Sequence, residues 1–75
     1  MQTVDVVIHV DETIDHGRRA LVADTIRTQR GVATVAHHDE KPHLMIVAYD
    51  PAAVTAQALL QVVRNQGVHA ELVGM

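Results

Sequence analysis

The chain has no cysteine, serine, phenylalanine or tryptophan, and Tyr49 is its only aromatic residue. Each absence removes a class of chemistry. Without cysteine there is no disulfide, no thiolate metal site and no thiol nucleophile. Without serine a Ser-His-Asp triad is impossible. Without aromatic platforms a nucleic-acid strand has little to stack on, and a formal net charge of −3 offers phosphates no basic footprint. The four glycines are isolated, so no phosphate loop exists. Asp39 and Glu40 are adjacent and make no positioned acid/base pair. A domain this small rarely encloses a substrate pocket, so catalysis is not expected. No stretch approaches the ~20 apolar residues of a membrane span. The first residues carry no basic segment ahead of an apolar run, so no signal peptide is visible and a soluble cytoplasmic protein is expected.

What remains is an aliphatic chain. Of its 75 residues 48% are hydrophobic, enough for one globular domain over 1–75 with a core of Val, Ile, Leu, Ala and Met. The β-branched run Val4–Val10 predicts a strand. Thr13 or Asp15 can cap a helix over 16–30 whose apolar stripe is Leu21, Val22 and Ile26, with Arg18, Arg19, Arg27 and Arg30 on the wet side. Gly31 suits the helix stop. Residues 32–37 form a second strand, the polar stretch 38–42 with Pro42 a hairpin tip, and residues 44–49 a third strand. Asp50-Pro51 turns the chain, and Thr55 caps a second helix that runs through Gln66 with Leu59, Leu60 and Val63 on its apolar face. After Gly67, residues 68–73 make a fourth strand. The order β-α-β-β-α-β is the split βαβ pattern of the ferredoxin-like α+β class. Right-handed crossovers put both helices on one face of a four-stranded antiparallel sheet of order 4-1-3-2.

The second half resembles the heavy-metal-associated (HMA) domain family. The residues that carry the likeness are Gly31-Val32 and Val35, then Val47, Tyr49-Asp50-Pro51, Val54-Thr55, Leu59-Leu60, Val63 and Gly67, which together span about 31 to 72. The resemblance implies the fold of small copper chaperones and of the metal domains of transport ATPases. Its defining Met-x-Cys-x-x-Cys motif would fall in the loop 11–18, where the two cysteine positions hold Ile14 and Gly17, or Asp15 and Arg18, according to the end from which the loop is aligned. Neither alignment supplies the soft thiolates that select Cu(I), so that chemistry does not carry over. His16 lies between the two positions either way.

Histidine is the abundant ligand instead. In this topology the end of strand one, the strand-two-to-three hairpin and the start of strand four share one rim, which gathers His9, His16, His37, His38, His43 and His69. Alternation along the strands puts His9 and His69 on the sheet face away from the helices. Pairing His9 with His69 across strands one and four sets Val7 opposite Glu71 and Asp5 opposite Val73. It leaves two Cβ atoms about 4.5–5.5 Å apart, close enough to share a cation. A five-residue tip would likewise put His37 opposite His43. The expected metal residues are therefore His9, His69, His37, His43 and His16, with Glu71, Asp11 or a histidine of a second subunit as a further ligand. Neutral imidazole suits Zn²⁺, Ni²⁺, Co²⁺ or Cu²⁺. A solvated pH-sensitive histidine surface is the plainer alternative.

The same alternation exposes Val7, Leu44, Ile46, Ala48 and Val73 on the sheet face that no helix covers. Contiguous exposed apolar surface marks an interface, either self-association or docking on a larger protein. The sequence thus supports an accessory protein binding a divalent transition metal through histidines. Its alternative is an interaction module that kept the fold without the metal. Neither reading involves nucleic acid or a membrane.

Overall fold

A computed structural model describes residues 2–73. Its elements are β1 (Val4–Val10), α1 (His16–Arg27), β2 (Val32–His38), β3 (Lys41–Tyr49), α2 (Ala56–Arg64) and β4 (Ala70–Val73). All strand pairs are antiparallel, and the sheet order is β2-β3-β1-β4, the expected ferredoxin-like arrangement. Val6, Ile8 and Val10 of β1 and Met45, Val47 and Tyr49 of β3 are buried against the helices. Val22, Ala23 and Ile26 of α1 and Leu59, Leu60 and Val63 of α2 meet them from above. Full burial of each Val, Leu, Ile or Met side chain among them contributes about 1.5–3 kcal/mol, which is how an aliphatic core serves without Phe or Trp. Among the described residues no helix is long and apolar enough to cross a membrane.

Local chemistry sets the ends. Asp15, rather than Thr13, caps α1, its Oδ1 accepting from the Arg18 N–H at 2.7 Å. Thr55 caps α2 through Ala58 N–H at 3.0 Å. Helix α1 stops three residues before the sequence pattern suggests. The N–H groups of Thr28 and Gln29 reach back only three residues, to Thr25 and Ile26, and the Thr28 hydroxyl also donates to Thr25 O at 2.6 Å, which tightens the last turn. Helix α2 tightens the same way at Gln66 and Gly67 and ends at Arg64. Gly31 has φ +90, and a Cβ there would sit 2.8 Å from the Cβ of Ala53, so both conformation and space require glycine.

Three expectations are corrected. The buried stripe of α1 is Arg19, Val22, Ala23 and Ile26, whereas Leu21 is 63% exposed. Arg19 is therefore not a wet residue; it is buried at the helix start. The hairpin tip is only Asp39-Glu40, because β3 begins at Lys41 and a bulge falls between His37 and His38. Pro42 is tolerated inside β3 because registered pairing with β1 begins only at Leu44. Last, β4 begins at Ala70, since the His69 N–H donates to the Glu12 carboxylate instead of the ladder.

Candidate metal centre

Strand register decides which rim residues meet. Across β1 and β4, His9 stands opposite Glu71 and Val7 opposite Val73, two residues away from the pairing of His9 with His69. Asp11 continues the ladder, its N–H donating to His69 O at 2.8 Å. Across β2 and β3, His37 stands opposite Met45, not His43, because the short tip and its bulge move the register by two. A two-residue slip keeps every side chain on its expected face. Both histidine pairings are therefore absent, while the alternation behind them holds.

Three donors converge where β1 ends beside β4. His9 Nδ1 lies 3.1 Å from Asp11 Oδ1 and 3.1 Å from Glu71 Oε1. The ligand atoms of His9, Asp11 and Glu71 all lie within 4.8 Å of one another. A tetrahedral ion with bonds of 2.0–2.2 Å separates its ligand atoms by about 3.4 Å, so two of the three distances already match a shared cation within a few tenths of an ångström. Before any ion enters, the Asp11 carboxylate accepts and the imidazole donates, which places the hydrogen of neutral His9 on Nδ1. His43 braces this ring. Its own Nδ1–H donates to Val10 O at 2.8 Å, and its ring stacks on His9 with centroids 5.6 Å apart at 20°.

His69 belongs to a different contact. Its side chain is 85% exposed, and its Nδ1 lies 2.7 Å from Glu12 Oε2. The hydrogen bond to Glu12, reinforced by that carboxylate's charge, raises the His69 pKa above its usual value of 6.5. Side-chain and backbone hydrogen bonds from His69 hold the Glu12 carboxyl below its usual range. The pair ties the β1–α1 loop to the start of β4.

Two of the remaining histidines lie around Arg19. The Arg19 Nε–H donates to His37 Nδ1 at 3.2 Å, and its Nη2 donates to Asp39. His16 Nδ1 lies 2.9 Å from the same Asp39 oxygen, and the His16 and His37 rings stand 5.8 Å apart. Since Arg19 can only donate, His37 must accept through Nδ1 and carry its hydrogen on Nε2. Neutral His37 then has no lone pair left for a metal. Burial, followed by the charge of Arg19, lowers its pKa. The hydrogen bond from His16 lowers that of Asp39. His38 is exposed beside the tip. Sequence reasoning paired the wrong partners for His9; the carboxylates that meet it, Asp11 and Glu71, were legible only as alternates. It missed Arg19, whose signal was its place three and four residues before Val22 and Ala23.

The uncovered sheet face matches the alternation as well. Ala36, Ile46, Val7 and Val73 stand in register across all four strands, with Ile46 and Val73 both 42% exposed. Leu44 and Ala48 flank them, partly covered.

No protein-family model matches the chain, and neither does any curated protein sequence. Solved structures do match it in fold. Oxidized MerP from Ralstonia metallidurans CH34 superposes with a TM-score of 0.86 at 20% identity, covering 97% of this chain and 100% of that one. A copper binding domain from HMA7, a P-type ATPase, gives 0.84 at 16% identity, covering 93% of each chain. The yeast copper transporter domain Ccc2a gives 0.82 at 18% identity, over 93% of this chain and 94% of that one. The fold implied by the sequence resemblance is thus the fold found.

Proposed function

We propose that this chain is a small metal-binding protein that holds a divalent transition-metal ion at His9, Asp11 and Glu71. The observation that carries the reading is the convergence of three ligand atoms within 4.8 Å at the end of β1. Similarity in fold to proteins described as copper-binding supports metal handling in general. The donor set argues for a different ion class. One imidazole and two carboxylates suit Zn²⁺, Co²⁺ or Ni²⁺, while Cu(I) prefers soft sulfur, and neither a thiolate nor a thioether belongs to this set. His43 orients His9, and His69 holds the adjoining loop without being a ligand. An ion bound through Nδ1 leaves the neutral ring's hydrogen on Nε2 and competes with protons for the donor set, so affinity falls with acidity.

The four-strand apolar row favours a second reading, in which the chain docks on itself or on a larger protein through the open sheet face. Calorimetric titration of the tag-free protein with Zn²⁺, Co²⁺ and Ni²⁺ at pH 7.5 and 5.5 separates the two. Saturable binding at one equivalent, weakened at least tenfold at the lower pH, is the expected result. No binding by a folded sample that sediments as a dimer would replace the first reading with the second.

A further inference from the structure

Asp11 and Glu71 of the candidate centre line a groove together with His69, Arg64, Val68 and Ala70. Two of the three metal donors are thus groove residues, and the Arg64 side chain lines it as well. Arg64 Nε donates to Ala70 O at 3.1 Å, which fixes the side chain over the start of β4. Among the described residues its terminal nitrogens make no hydrogen bond or ion pair, although two carboxylates line the same groove. We propose that the loaded centre takes a small carboxylate as a further ligand, bound to the ion through its oxygen and anchored by Arg64.

The inference rests on the metal reading above and deepens it. Three protein donors leave a divalent ion at least one open position, the pattern of sites that accept an exogenous ligand. Charge sets the order of events. The two carboxylates and Arg64 leave the empty groove with one net negative charge, which repels an anion. A divalent ion turns the balance to one net positive charge, which attracts one. Protonated His69 and Glu12 form a neutral pair, and with that pair closed the sign stands. A carboxylate supplies one oxygen to the metal and presents the other to a guanidinium, a pairing the planar donor fork of arginine favours over an ammonium. No bond is made or broken beyond coordination.

Cobalt(II) gives a direct readout, because its visible absorption reports a change of ligand. Oxalate is titrated into the cobalt-loaded protein and into Arg64→Gln and Arg64→Lys at matched cobalt occupancy, with circular dichroism confirming the fold. The expected result is a new protein-bound spectrum that saturates at one oxalate. The half-saturating concentration should rise about tenfold in Arg64→Gln and less in Arg64→Lys. An unchanged spectrum, an identical titration in Arg64→Gln, or stripping of the cobalt into solution would overturn the proposal while leaving the metal reading intact. A protein that never takes up cobalt, zinc or nickel would remove both.

Discussion

Two clusters on the same rim both combine histidine with carboxylate, and one of them also holds an arginine. At the β1–β4 edge, a histidine faces two carboxylates with no cation in direct contact among the described residues. At the start of α1, two histidines and a carboxylate surround the guanidinium of Arg19, which is itself 2% exposed. The second cluster already holds its positive charge. Histidine and carboxylate together therefore do not define a metal site. What matters is whether the chain supplies a cation of its own, and which ring nitrogen that cation leaves available.

The comparison breaks most sharply on metal affinity. His9→Ala should weaken zinc binding by about 100-fold, since it removes the only nitrogen donor of a three-ligand set, while His37→Ala should change it less than about twofold. Calorimetry on both variants decides; equal losses would mean that the two clusters share the ion. Stability is the next largest effect. Arg19→Ala removes a buried stem and leaves the Arg19 contacts to Asp39 and His37 unmade, at a cost of about 2 kcal/mol in urea denaturation. Arg19→Met keeps the packing and should cost less than about 1 kcal/mol. If Arg19→Ala were neutral, the guanidinium would be a passenger and the contrast would lose its basis.

The smallest effect is in titration. Nuclear magnetic resonance should show His69 titrating above 6.5 and His37 below it; the reverse order would refute the assigned contacts. The signs give the two sides opposite responses to mild acid. A raised His69 pKa contributes stability that is complete below about 6.5 and fades as pH climbs through the folded value. A lowered Glu12 pKa contributes above about 4.5 and fades as pH falls through the folded value, so this tie is firmest between those limits. His37 behaves the other way. Acid adds a charge beside Arg19, and that side loosens as pH falls through the lowered His37 value.

Element order, sheet order and the face of each strand were legible in the sequence because they follow from alternation and from caps such as Thr55. Register was not. Val6, Ile8 and Val10 are buried whether His9 meets His69 or Glu71, since a slip of two leaves the pattern of burial unaltered. The choice was made by contacts between residues far apart in sequence, such as Glu12 receiving the His69 N–H. Arg19 was passed over for a related reason, although its spacing to Val22 and Ala23 pointed inward. Charge reads as exposure until a distant Asp39 and His37 are known to meet the guanidinium.

The loops on either side of the β1–β4 edge are stitched together before any ligand arrives. Asp11 bonds to His69 through the backbone, Glu12 to His69 through both backbone and side chain, and Arg18 to the carbonyl of Gln66. The disorder that a flexible loop would surrender on closing around an ion has therefore already been lost during folding. An ion would meet a rigid socket, its arrival governed by shedding water rather than by rearranging the chain.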